Sequence, residues 1–324
     1  MKRRTALKLI AAPAILSFAN LARAKEKISY LYLLDPCYDA ALWAIRNGKV
    51  TSDLIDVEAT GANIPTLFQA TATKQYDVVM SSGISVPAAA KRGLQLRIMS
   101  AGLYMAEAGE GGGVWVKKGS PLTEPRQLKG KTLASYALRS VGYMYVREAL
   151  QREYGLNLAL QGGDVGQVEI VAPNLPAALA TGRVDAATLI HSQAYRARQS
   201  GDFVNICETG KIMIKLHGRM VSAINVSYPE KLAARPKAFA EFHRMFKESV
   251  AYALAHRDEV FVAVGKRANI DPKFFDWWFD KTTEIPAVFN EEHAKSVATA
   301  WKIAKKYGLI DDVPPIEPYI WRPA

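Results

Sequence analysis

The sequence predicts an α/β fold in two lobes, and three observations point to it. Strand-like and helix-like segments alternate through residues 28–100, and a second alternating run fills residues 131–226. Between them lies EAGEGGGVWVKKGSP, residues 107–121, which holds Gly109, Gly111, Gly112 and Gly113. Alternation of this kind predicts, for each run, an open and mostly parallel sheet flanked by helices. Glycine tolerates positive φ and resists ordering, so residues 109–113 suit a slack hinge between the runs.

Each element has a local reason. Residues 28–34 (ISYLYLL) form a β-rich segment, and residues 39–46 a helix with Ala41, Leu42 and Ile45 on one face. Residues 55–59 make the second strand. Asn63 caps a helix over 65–73 that turns Leu67 and Phe68 inward. A strand at 76–80 (YDVVM), a helix over 86–92 and a strand at 96–100 (LRIMS) complete the first run. In the second run, a strand at 131–135 leads into a strong helix over 140–154, stopped by Gly155. Strands at 168–172, 186–190 and 203–207 then alternate with helices at 177–181 and 193–199, and a strand at 221–226 follows. Beyond residue 229 the chain is mainly helical. Phe239, Phe242, Phe246, Val250 and Leu254 recur at helical spacing, as do Ala294, Val297, Ala298 and Trp301. The proline-rich tail DDVPPIEPYIW is expected to lie extended over the surface.

The 324 residues are 49% hydrophobic and 23% charged, an ordinary globular balance with material for one or two cores. Of the net charge of +11, five units come from Lys2, Arg3, Arg4, Lys8 and Arg23, so residues 25–324 carry +6. The surplus is dispersed, without the basic block of a nucleic-acid footprint. The N-terminus reads as a targeting segment: MKRR, an apolar core, then Ala22-Arg23-Ala24, with cleavage after Ala24. Arg3-Arg4-Thr5-Ala6-Leu7-Lys8 is similar to a twin-arginine export signal, with Ala6 where that pattern usually has Phe. Export predicts a periplasmic protein. Cys37 and Cys207 are expected as two buried or partly buried free thiols, and nothing in the chain has metal-ligand spacing.

The glycine stretch fails as a phosphate cradle. Gly109 and Gly111 fit a dinucleotide fingerprint, but the third position is Val114, and a strand follows where a helix is needed. Lys117-Lys118-Gly119-Ser120 has the wrong order for a P-loop. No cofactor is expected.

Val114-Trp115-Val116-Lys117-Lys118-Gly119-Ser120-Pro121, followed by Gln127-Leu128-Lys129-Gly130-Lys131, resembles the inter-lobe segment of type II periplasmic solute-binding proteins. The resemblance is to the group that binds nitrate, sulfonates, taurine and thiamine precursors for ABC importers. Tyr76-Asp77-Val78-Val79 with Pro87-Ala88 and Lys91-Arg92-Gly93, and Gly182-Arg183-Val184-Asp185-Ala186, resemble further segments of that group. The resemblance implies a discontinuous lobe I (25–114 plus 220–324), an inserted lobe II (115–219), two hinge crossings and a ligand cleft. It also implies a monomer whose partners are a small-molecule ligand and the permease subunits of an inner-membrane transporter.

In open α/β sheets ligands bind beyond the carboxyl ends of the strands, where helix N-termini point. The candidate loops are residues 35–38, 60–63, 81–83, 136–140, 173–174 and 191–192. Ser81 and Ser82 can cap a helix and also donate to an oxyanion. Ser140 opens the long second-run helix beside Arg139, a departure from the small residues usual in the group. A guanidinium there can pair with a carboxylate or sulfonate, and Arg139→Ala would then weaken binding at least about tenfold. Tyr38, Tyr104 and Tyr136 are candidates to cover a ring or an apolar body, and His191 is a candidate polar contact. The expected ligand is a small organic anion, such as a sulfonate or aromatic acid. Two readings compete with an importer subunit. One is a thiamine-pyrimidine-precursor binding protein or a biosynthetic enzyme of the same fold, although that enzyme group carries a cysteine-rich motif and this chain has only two cysteines. The other is a ligand-sensing partner of a signalling receptor. No nucleophile elbow or acid–base pair marks an enzyme.

Overall fold

A computed structural model describes residues 25–323 of the protein. The export signal and its cleavage site lie outside the described residues. From the N-terminal side the chain forms β1 (Glu26–Leu33), α1 (Pro36–Ala41), α2 (Trp43–Arg46), β2 (Ile55–Ala62), α3 (Ile64–Thr73), β3 (Val78–Ser82), α4 (Ser85–Ala90) and β4 (Arg97–Met105). A second set follows: β5 (Val114–Lys117), β6 (Thr132–Ser135), α5 (Val141–Tyr154), β7 (Gly166–Glu169), α6 (Leu175–Ala180), β8 (Ala186–Thr188), α7 (His191–Ser200), β9 (Phe203–Cys207) and α8 (Thr209–His217). The rest comprises β10 (Val221–Ser227), α9 (Pro229–Ala234), α10 (Pro236–Ala255), α11 (Arg257–Ala268), α12 (Lys273–Trp277), β11 (Thr283–Glu284) and α13 (Glu291–Lys306).

These strands make two sheets. The first has the order β11-β4-β10-β3-β1-β2 and the second β7-β6-β8-β5-β9. In the first, β1 to β4 point one way while β10 and β11 run against them; in the second, β5 alone runs against β6 to β9. Both sheets are therefore mixed, with four parallel and five antiparallel pairings, where the alternating pattern predicts mostly parallel ones; the reversed β5, β10 and β11 make the difference. The reversed strands β5 and β10 are the ones that follow the two passages between the sheets. Buried polar ties fix the first sheet: Tyr30 donates to Asn225 Oδ1 at 2.8 Å, and Asn225 Nδ2 donates to Ser100 Oγ at 2.9 Å. Cys37 and Cys207 are buried and unpaired, and burial pushes the Cys207 thiol up to about 12.

Helix α5 belongs by chain order to the second sheet, yet it packs into the core of the first. Val141, Met144, Tyr145 and Ala149 share one apolar cluster with Leu31, Ile98, Ile224 and Trp301. Tyr145 donates to the Val221 carbonyl at 2.6 Å. One turn on, the buried Glu148 carboxylate accepts from Lys306 Nζ at 2.7 Å and Tyr307 Oη at 2.9 Å, with His217 Nε2 3.3 Å away. α5 is thus pinned to α13, to β10 and to the end of α8.

Phe68 is 40% exposed rather than turned inward, and three larger features also depart from the sequence reading. First, α8 fills residues expected to be a plain connection. Gly210 near its start weakens the local helical signal, but Met213 buries a face in the first-sheet core and stabilises the helix. Second, the tail is not merely draped: Ile320 bridges to Ile98, and the Trp321 N–H donates to the Ile98 carbonyl at 2.9 Å. Third, residues 109–113 are not slack. A side chain at Gly111 would meet Thr282, one at Gly112 would meet Thr209, and one at Gly113 would meet Asn205 and Trp115. The Glu110 N–H donates to Lys281 O at 2.9 Å, and the Glu110 carboxylate accepts from Trp277 Nε1 at 2.9 Å. The glycines serve close backbone approach rather than looseness.

Burial alone would raise the Glu148 pKa, but Lys306, Tyr307 and His217 outweigh it and hold the carboxyl below its ordinary 4.5. A depressed acid stabilises the fold above its unfolded pKa, and that contribution fades as pH falls through the folded value. We expect Glu148→Gln to cost about 1.5–3 kcal/mol at neutral pH, the scale of hydrogen bonds to a charged group. The difference from wild type should shrink as pH drops below 4.5; urea titrations at a series of pH values measure it.

Candidate functional site

A cavity of about 160 Å³ lies between the two sheets. That is close to the ~150 Å³ known to hold a benzene-sized molecule in a protein interior. On the first-sheet side its wall is Leu33, Met80, Ser81, Ser82 and Leu103, with Ile64, Leu67 and Phe68 of α3. On the second-sheet side it is Tyr136, Thr188 and Ile190, with Ser140, Val141 and Gly142 at the start of α5. The floor comes from the crossings: Gly111 to Gly113, Thr209 and Met213 of α8, and Thr282.

Among the described residues that line the cavity there is no Lys, Arg, Asp or Glu. Positive potential comes instead from backbone. Four helices of nine residues or more, α3, α5, α7 and α8, each contribute residues of their first turn to the wall. A helix N-terminus carries unpaired N–H groups and a partial charge of roughly +0.5, which favours an anion or a hydrogen-bond acceptor. Ser140 caps α5 by accepting from the Tyr143 N–H at 3.2 Å while donating to Ala137 O at 2.8 Å. Tyr136 packs against Gly142 so closely that a methyl there would strike its hydroxyl. Burial raises the Tyr136 phenol above its ordinary value, so it stays a neutral donor. The Thr282 hydroxyl is buried without a protein partner. His191 Nδ1 lies 2.7 Å from Asp35 Oδ2. Among the described residues no cluster of His, Cys, Asp and Glu could hold a metal ion.

The model of the family described as NMT1/THI5 like matches residues 55–260. The chain belongs to the NMT1/THI5-like family. No curated protein matches it in sequence. Among solved structures it is similar to a protein from Archaeoglobus fulgidus at 20% identity, covering 88% of this chain and 98% of that one with a TM-score of 0.71. It is also similar to the periplasmic aliphatic sulphonate binding protein SsuA of Escherichia coli, at 17% identity over 93% of this chain and 94% of that one, TM-score 0.71. The alkanesulfonate-binding protein SsuA of Xanthomonas axonopodis pv. citri, bound to MOPS, matches at 14% identity over 92% of this chain and all of that one, again with a TM-score of 0.71. At these identities the likeness is one of fold: the NMT1/THI5-like chain has the two-lobed periplasmic binding protein architecture.

Of the eight residues singled out from the sequence, Ser81, Ser82, Tyr136, Ser140 and His191 line the cavity of this NMT1/THI5-like protein. Three do not. Tyr38 is fully buried and donates to Gly102 O at 2.7 Å. Tyr104 is buried under the Arg219 guanidinium, 4.2 Å from its ring, and donates to Glu292 at 2.5 Å. Arg139 precedes the α5 cap and is exposed, outside the wall. Sequence reasoning missed Gly111 to Gly113, Thr209 and Thr282. The crossing glycines carried a signal, since chain passing between lobes borders the cleft; Thr282 carried none, because only the tertiary fold brings a C-terminal residue there. For any compound that stabilises the wild type, Gly142→Ala should displace Tyr136 and weaken binding about tenfold without lowering stability. Arg139→Ala should leave affinity within about twofold, as befits a solvated surface charge. Titration calorimetry checks both.

Proposed function

We propose that the chain is an exported solute-binding subunit of an ABC importer. It captures a small organic anion with an apolar body, such as a sulfonate or aromatic acid, in the inter-lobe cavity by hinge closure. The observation that carries this reading is the convergence of four helix N-termini on an apolar cavity lined by no Lys, Arg, Asp or Glu. In such a site the acidic head of a ligand meets backbone N–H groups and hydroxyls, and its body meets Leu, Met and Phe. The lobes are taken as residues 25–114 plus 220–324 and residues 115–219, with export directed by residues 1–24 and cleavage after Ala24. The partners are permease subunits, and the protein acts as a periplasmic monomer. The match to solved binding proteins supports a binding role rather than an enzymatic one.

A second reading, a thiamine-pyrimidine-precursor binding protein, is favoured by one observation: the wall holds no Lys or Arg to pair with an anion, which suits an uncharged heteroaromatic ring. Thermal-shift screening of residues 25–324 against sulfonates, aromatic acids, nitrate and pyrimidines separates the two. A compound at a hundred times its Kd adds about 2.7 kcal/mol, which for a protein of this size raises Tm by roughly 4 °C. We expect a sulfonate or aromatic acid to do so. Stabilisation by pyrimidines alone selects the second reading, and no shift with any compound removes both.

A further inference from the structure

One hydrogen-bonded pair, His191 with Asp35, joins the two sheets beside the cavity. His191 follows β8 and opens α7; Asp35 follows β1 and caps α1. His191 Nδ1 sits 2.7 Å from Asp35 Oδ2, with side chains only 17% and 10% exposed. The other Asp35 oxygen accepts from the Cys37 N–H at 2.8 Å, which ties the carboxylate to the start of α1. Burial would raise the Asp35 pKa, but the His191 ring and the Cys37 amide outweigh it and keep the carboxyl below its ordinary range. The His191 ring also rests against the Trp278 indole, centroids 5.8 Å apart. His191 has φ +50°, a left-handed conformation that a β-carbon disfavours. Strained residues persist where the surroundings over-determine them, and they cluster at ligand clamps and switches.

These facts have one joint consequence. His191 lines the cavity, yet its Nδ1 is engaged by the opposite sheet and not free for an occupant. Drawing the sheets apart must break this pair and expose a carboxylate and an imidazole that are now largely buried. We propose that His191 and Asp35 form a cross-cleft latch, which biases the ligand-free protein toward the closed state and slows release of whatever the cavity holds. The proposal rests on the hinge-closing reading above. It assigns His191 to positioning the second lobe against the first rather than to contacting the solute.

The test uses ligand-free protein, so it is separate from the success of the thermal screen. Spin labels at Gln69→Cys on α3 and Ala177→Cys on α6 report the separation of the two sides, both sites being exposed. The native cysteines are 0% and 3% exposed and stay unlabelled. Asp35→Asn keeps an oxygen to cap α1 but removes the charge; His191→Asn removes the imidazole and tolerates the left-handed φ. Double electron–electron resonance should show wild type mainly at the short distance. Each variant should shift population to a longer distance, with roughly a tenfold change in the open-to-closed ratio. The doubly substituted protein should shift no further than either single variant. No shift in either variant, a shift in only one, or additive shifts would overturn the latch. A wild type already at the long distance would overturn it as well.

Discussion

Glu148 lies in the middle of α5 with 3% of its side chain exposed, and Lys306 and Tyr307 of the opposite lobe close on it. An uncompensated carboxylate at that depth would be strongly destabilising, so α5 and the C-terminal helix must stay together. The arrangement of the cavity depends on that constraint. With α5 pinned at Tyr145 and Glu148, its N-terminus is fixed a turn away, and Ser140, Val141 and Gly142 are carried to the cavity wall. The start of α8 reaches the same wall because its far end, His217, meets the same carboxylate. Backbone N–H groups can act as a preformed donor site only if the helices that own them do not drift.

The lobes are consequently joined in two different ways. On the α5 side the contact is a broad apolar cluster plus the Glu148 network, a surface that resists sliding. On the α7 side it is narrower: the His191–Asp35 pair, Tyr195 against Phe274 and Trp277, and Arg196 donating to Asn269 O at 3.0 Å. If the lobes open as proposed, the α7 seam is the one with fewer ties to break, and α5 and α8 would stay with the first sheet.

Much of this architecture was legible in the sequence, because strand and helix alternation reports burial directly. The order of elements, the caps at Asn63 and Ser140 and the stop at Gly155 all rest on local chemistry that a linear reading can see. The site was only partly legible. Ser81, Ser82, Ser140 and His191 sit where strands end and helices begin, a position topology alone marks. Tyr38 and Tyr104 sit near the same ends, but their hydroxyls are consumed by Gly102 and Glu292, partners 64 and 188 residues away. Arg139 offered the most suitable charge in the sequence, and the turn before α5 faces it to solvent. The pairing of His191 with Asp35, 156 residues apart, has no sequence signal at all.

The glycine stretch shows why composition misleads about mechanics. Four glycines suggest looseness, yet here the missing side chains let two chain passages lie almost backbone to backbone. A side chain on Gly210 would run into the carbonyls of Gly109 and Gly111. This contact seats Gly111 to Gly113 in the cavity wall as bare backbone, beside the first turn of α8. An occupant therefore touches both passages between the lobes, along with the helix starts on either side. Any motion that bends those passages changes the shape of the wall, and any occupant that fills the wall resists the bend. In the proposed hinge-closing protein, binding and hinge position would be coupled by contact at one place, with no need for a signal relayed through the lobes.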